Sequence, residues 1–289
     1  MTLDSGGRWD LVLRYRVDDA VALVLAGICI GVSSVLFQTV TANRILTPGI
    51  MGFDALFVMI QVLTAALLGL HGFPPTIGFA VNLIAMVLVA TSLYRWLLGD
   101  GRRGLHLLVL TGVVLGLLFR SLAAFTGRLA EGGDVTGGSL ARAFAGMDGD
   151  ILAMALALTL LACLAAWWIL ADLDVLTLGR DAAISLGVDH RRTALFVLAV
   201  SSALAAVSTV MAGPMIFLGL LAANLAYLVT GSTRHAVTLP SAAMIGIIAL
   251  VGGRLVVEHL LDLPGDAGTV INLVGGLVVI LMLLKGTAQ

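Results

Sequence analysis

Residues 173–192 read LDVLTLGRDAAISLGVDHRR, the longest charge-rich interruption between two strongly apolar segments in the second half of the chain. Gly179 and Gly187 bracket RDAAISL. Helical spacing places Ala182, Ala183 and Leu186 on one face of a two-turn helix, with Arg180 and Asp181 at its start. Asp172, Asp174, Asp189, Arg191 and Arg192 flank it. Taken alone, the pattern fits either a solvated loop or a short helix that a membrane bundle offers to a soluble partner.

The surrounding chain supplies the bundle. Its 289 residues are 60% apolar and 11% charged, with a mean hydropathy of +1.10. A water-soluble domain of that composition would leave large apolar patches in water. Runs able to cross a hydrocarbon layer of about 30 Å lie at 18–41, 50–70, 76–98, 105–126, 150–171, 193–212, 214–230, 236–261 and 268–284. Their length and lack of strict alternation indicate helices rather than barrel strands. The expected fold is an all-α integral membrane bundle of nine spans, one domain over residues 1–289. Cys29 and Cys163 fall inside spans, as buried thiols rather than a disulfide framework. The net charge of -1 speaks against nucleic acid as a partner.

Arginine placement predicts the orientation, because loops on the cytoplasmic side retain positive charge. With 173–192 inside, that side holds Arg44, Arg95, Arg102, Arg103, Arg180, Arg191, Arg192, Arg234 and Lys285. The opposite loops between spans hold Arg128 and Arg142 among Glu131, Asp134, Asp148, Asp262 and Asp266. This puts the C-terminus in the cytoplasm, and Arg8, Arg14 and Arg16 outside against the trend.

Along the spans, Gly27 and Gly31 stand four apart, a spacing that lets a second helix approach closely. Pro48 and Gly49 break the chain before Asp54 opens the next helix, and Gly213 and Pro214 make a second break. Thirteen Leu, Val and Phe residues between Leu105 and Thr126 outweigh the insertion cost of Arg120. That arginine either snorkels to the outer interface or presents a fixed charge to the bundle interior. Ser201, Ser202, Ser208, Thr209 and Asn224 either line a pathway or permit close helix packing. Arg254 and Glu258, at i and i+4, are positioned to neutralise each other. Gly275 and Gly276 mark a close contact of the last helix. The Gly-rich stretch from Gly127 to Asp150 is too polar to span and is expected to form short surface helices.

Catalytic signatures are missing. There is no GxxxxGK[ST] loop, and Lys285 is the only lysine, so an ATP site of that kind is not in this chain. The histidines at 71, 106, 190, 235 and 259 show no metal-ligand spacing, and no GxSxG elbow occurs.

Three separated motifs resemble the permease subunits of ATP-binding-cassette importers for iron-siderophores, haem and cobalamin. They are NRILTP with GFD within 43–54, LDVLxLGRxxAxxLGV over 173–188, and an AGP break followed by FLGLL within 208–221. The first, together with FRSLAAF at 119–125, is similar to a subgroup associated with catecholate-type iron chelates. The resemblance implies the fold of the vitamin B12 importer's membrane subunit. By that resemblance the chain is expected to start at the family's second helix, without the first, and the stretch from Leu13 to Arg16 resembles the external segment that follows it.

The function so implied is translocation of a ferric siderophore across the bacterial inner membrane without covalent chemistry. Its partners would be a second permease subunit, identical or paralogous, two cytoplasmic ATPase subunits carrying ATP and Mg, and an extracytoplasmic binding protein. Leu178, Gly179, Arg180, Ala182, Ala183, Leu186 and Gly187 would couple to the ATPase. Arg16, Arg128 and Arg142 would dock the binding protein, although Asp19 stands where related permeases often carry another basic residue. Arg120, Ser208, Thr209 and Asn224 are the pathway candidates. Import of haem or cobalamin is the alternative. An ion-coupled transporter would want intramembrane carboxylates, and only Asp54 and Glu258, both near span ends, are offered.

Overall fold

The computed structural model describes residues 9–68, 75–98, 105–131, 149–259 and 267–284. In chain order the helices are α1 (Trp9–Thr41), α2 (Phe53–Leu68), α3 (Pro75–Leu98), α4 (Leu105–Glu131), α5 (Gly149–Trp168), α6 (Leu170–Leu176), α7 (Arg180–Ser185), α8 (His190–Ala212), α9 (Leu218–Thr230), α10 (His235–His259) and α11 (Ala267–Leu284). Each of the nine apolar runs overlaps one of the longer helices, except that the fifth, expected over 150–171, breaks at Ile169 and its last two residues open α6. Among the described residues, five helices are long and apolar enough to cross a membrane. The chain is a multi-pass membrane protein.

The bundle is assembled around α1, which packs against α10, α8, α9 and α5. Its inward residues include Ala22, Ala26, Cys29, Leu36 and Phe37, all essentially inaccessible. Gly27 and Gly31 face α10 so closely that a Cβ on Gly27 would sit 2.6 Å from the Ile247 amide nitrogen, and one on Gly31 would collide with the Ala242 carbonyl. Gly246 meets Gly27 from the other side. The four-residue glycine spacing thus serves one helix crossing. The stretch Leu13–Arg16 is helical, within the first turns of α1.

At 1.5 Å per residue, α9 reaches about 20 Å, less than the hydrocarbon thickness, and the described part of α2 about 24 Å. Each follows an irregular segment, 42–52 before α2 and 213–217 before α9. Irregular backbone at membrane depth is tolerated only where protein satisfies its polar groups. The first segment does so partly by itself, through Asn43 N–H to the Gln38 carbonyl (3.0 Å), Met51 N–H to Thr47 (3.0 Å) and Phe53 N–H to Pro48 (3.0 Å). The two segments also touch, since a Cβ on Gly49 would lie 3.0 Å from the Ile216 Cα.

α4 continues past Thr126 to Glu131, so the first residues of the Gly-rich region extend that helix. The expected surface helices of 132–148 lie outside the described residues.

Candidate functional site

The polar segment between α5 and α8 is built from short, well-terminated pieces. α5 stops at Trp168, and Ile169 (φ -106°, ψ 19°) redirects the chain into α6. Leu173 and Leu176 are buried and seat α6 on the bundle. Leu178 N–H to Val175 and Gly179 N–H to Leu176, both 3.1 Å, tighten its end. Gly179 then adopts φ +93°, a region that an L side chain disfavours. α7 begins with Ala183 N–H on the Gly179 carbonyl at 3.0 Å.

α7 closes with Val188 N–H on Ala183 and Gly187 N–H on Ile184, both 3.0 Å, around Gly187 at φ +85°. This is the paired-bond helix stop that glycine favours. Asp189 caps α8 by accepting from the Arg192 amide at 3.2 Å, and its carboxylate also meets the Arg192 guanidinium at 3.0 Å.

Ala183 is fully buried, whereas Leu178, Ile184 and Leu186 are 63%, 55% and 61% exposed. Leu186 is the C-cap residue (φ -85°, ψ 5°), and its amide still donates to the Ala182 carbonyl at 3.0 Å. The segment therefore presents three aliphatic side chains beside exposed Arg180 and Asp181. In water such a cluster has little reason to persist unless another surface covers it.

A second polar locus joins the two irregular segments. Asp54, only 5% exposed, accepts the Thr209 hydroxyl on Oδ1 (3.0 Å) and the Met215 amide on Oδ2 (3.1 Å). It lies in the first turn of α2, at the end of that span, and is buried inside the bundle. Its carboxylate satisfies an N–H that the α8–α9 break would otherwise leave unpaired in a low-dielectric setting. The Asn272 amide of α11 donates to the Pro214 carbonyl at 3.1 Å, so α2, α8 and α11 converge on that break. A small cavity beside Asp54 is lined by Ser33, Ser34, Thr47, Ser208 and Gly219.

The remaining candidates separate by location. Ser208 donates to Ala205, Thr209 to Asp54 and Ala205, and Asn224 to Leu220 and Arg44, all within the protomer. Arg44, whose carbonyl also accepts from Gln38 Nε2 at 2.6 Å, places its guanidinium 4.8 Å from the Tyr227 ring centroid. Arg120 instead lies on the exposed face of α4 with Leu117, Leu118 and Phe125. Arg16 is exposed at the start of α1. The Arg128 side chain and Arg142 lie outside the described residues.

Arg254 forms a two-pronged ion pair with Asp19 across α10 and α1, at 2.8 and 2.6 Å. The anticipated Glu258 partner has a side chain outside the described residues. Sequence reasoning missed both this pair and the role of Asp54. The signal for Asp54 was a carboxylate opening a helix after a Pro-Gly break, in a chain with a second break whose amide needs an acceptor.

Comparison with known proteins gives concordant matches. A family model, the FecCD transport family, matches residues 2–285. The petrobactin import system permease protein YclO of Bacillus subtilis is 36% identical over 284 residues, covering 96% of this chain and 90% of that protein. The ferric enterobactin transport system permease protein FepG of Escherichia coli is 30% identical over 292 residues, covering 95% and 82%. A solved inward-facing conformation of a metal-chelate type ABC transporter superposes with a TM-score of 0.76 at 19% identity, over 96% of this chain and 90% of that one.

Proposed function

The chain belongs to the FecCD transport family, and from that premise we propose that it is the membrane-spanning subunit of an ATP-driven importer for ferric siderophores of catecholate type. The observation that carries the coupling half of this reading is α7, held between two left-handed glycines with Leu178, Ile184 and Leu186 turned outward. A rigid two-turn helix with an aliphatic tip suits insertion into a groove on a cytoplasmic ATPase, where apolar anchors supply affinity and the flanking charges set register. The petrobactin and ferric enterobactin permeases among the relatives support the cargo class.

In this reading the chain sits in the bacterial inner membrane with 173–192 and the C-terminus in the cytoplasm. A second permease subunit, identical or paralogous, completes the pathway against the exposed apolar face of α4, which carries Arg120. Two ATPase subunits holding ATP and Mg engage the α7 helices of the two permease subunits, one each, and a loaded binding protein docks at the opposite end through Arg16, Arg128 and Arg142. The Asp19–Arg254 pair occupies the position where a further docking charge is often found. ATP hydrolysis belongs to the partner, and this chain contributes shape and transmission.

Uptake of radiolabelled iron by cells lacking this subunit, supplied in turn with catecholate, hydroxamate and haem sources, tests the proposal. Rescue by the chain with catecholate iron alone is expected. Rescue with haem alone would reassign the cargo, and failure with every source would remove the import reading.

A further inference from the structure

α7 has covalent continuity with α6 and α8 only, yet the helix around which the bundle is organised is α1. A non-covalent route connects them. His235, the first residue of α10, is 1% exposed. Its backbone N–H and its Nδ1 both reach the same Asp174 oxygen, at 2.9 and 2.7 Å. Its Nε2 lies 2.7 Å from the Thr39 hydroxyl near the end of α1, and that hydroxyl also lies 2.9 Å from the Val35 carbonyl. Asp174 sits in α6, five residues before Gly179, with a side chain 40% exposed.

Among the described residues, the hydrogen bonds that tie 170–189 to a distant helix are these two contacts of Asp174 with His235. Asp174 thus caps the start of α10 and orients an imidazole that reaches α1, helices that follow and precede it in sequence by 61 and 135 positions. α6 also packs on α10 and α1, but the aliphatic contacts of Leu173 and Leu176 are non-directional and allow sliding. The directional part of the link is the polar chain. A carboxylate that fixes an imidazole and a backbone amide together permits little rotation between the two helices it joins.

We propose that Asp174 and His235 are positioning residues for coupling, a tether that carries displacement of α7 through α6 to the inner ends of α10 and α1. This rests on the reading of α7 as the ATPase-docking helix. The tether has one end at the surface, where a partner would press, and the other in the core, at the helix that contacts α10, α8, α9 and α5. Removing it leaves α7 able to bind its partner but unable to move the centre of the bundle in step.

The test uses the assembled transporter in proteoliposomes with its binding protein and a ferric catecholate. The readouts are iron transported per ATP hydrolysed and the stimulation of ATPase activity by the loaded binding protein. With Asp174→Ala or His235→Ala, assembly and basal hydrolysis are expected to persist while iron per ATP falls about tenfold, the scale of losing a hydrogen bond to a charged group. The double variant is expected to fall no further, because both residues serve one link. Asp174→Asn, which keeps an acceptor oxygen for the amide and the ring N–H, is expected to recover most of the ratio.

A wild-type ratio in the alanine variants, or additive losses, would overturn the tether. Should Asp174→Ala fail to assemble, Thr39→Val decides, since it cuts the link to α1 and leaves the cap on α10 intact. A lowered ratio supports the tether, and an unchanged one rejects it. Wild-type transporter without iron-dependent stimulation would reject the import reading itself, a result separable from failure of the tether.

Discussion

Asp19 and Arg254 are 235 residues apart in sequence and meet side by side, both guanidinium nitrogens of Arg254 on both carboxylate oxygens of Asp19. The pair clamps α1 to α10 at the end of the crossing opposite Thr39 and His235. Both side chains retain partial exposure, 43% and 33%, so the pair contributes about 1 kcal/mol or less. Asp19→Arg sets two like charges face to face and is expected to lower the thermal midpoint of the detergent-solubilised protein. Asp19→Arg with Arg254→Asp restores opposite charges and is expected to recover it. Recovery in the double variant is the decisive reading, because a site that merely dislikes arginine would not be rescued by it.

Between those two ends, the α1–α10 crossing depends on absent side chains. Gly31→Val would drive two methyls into the Ala242 carbonyl and the backbone beyond it. Neither atom is the free end of a flexible chain, so the helices must separate. The expected cost is about 1–3 kcal/mol, read as a lower thermal midpoint and reduced yield of folded protein. Gly252→Val, at a position with open space around its Cβ, is the matched control and is expected to change the midpoint little.

Asp54 offers a sharper test, because its partners are an amide and a hydroxyl of known direction. Asp54→Ala removes the acceptor of the Met215 N–H and leaves that group buried without a partner, at a cost of about 1–3 kcal/mol. Asp54→Asn keeps one acceptor oxygen and is expected to lose less. Thr209→Val removes a donor but orphans no amide, and is expected to be mildest. Thermal unfolding of the three variants in one detergent gives the ranking. An equal loss in all three would mean that packing at the break, rather than satisfaction of the Met215 amide, sets the stability there.

The helices and the loop between α5 and α8 were legible because their determinants are local. Apolar runs mark the spans, and Gly179 and Gly187 mark the turns that only glycine takes easily. The exposure of Leu186 beside a fully buried Ala183 was not, because it depends on which side of α7 the bundle covers. The partners of Asp54 and Asp174 were equally hidden, since they come from 155, 161 and 61 residues away. Asp19 was hidden from Arg254 in the same way, since no local rule links residues 235 positions apart. Small-residue spacing at Gly27 and Gly31 predicted a close crossing without saying which helix would fill it.

The outward side chains of α7 give the prediction on which the proposed docking stands. Leu186 and Ile184 are more than half exposed. Leu186→Ala and Ile184→Ala are therefore expected to leave folding unchanged and to weaken ATPase binding, by about 1–2 kcal/mol if either is an anchor in a desolvated groove. Ala183→Leu acts from the other side. Ala183 is fully buried against the bundle, so the larger side chain lifts α7 off its seat without altering the exposed chemistry. Pull-down of the ATPase subunit by the purified permease reads all three. Weakened capture in the truncations and in Ala183→Leu means that both the aliphatic tip and its placement matter. Undiminished capture in every variant would place the ATPase contact elsewhere on the molecule.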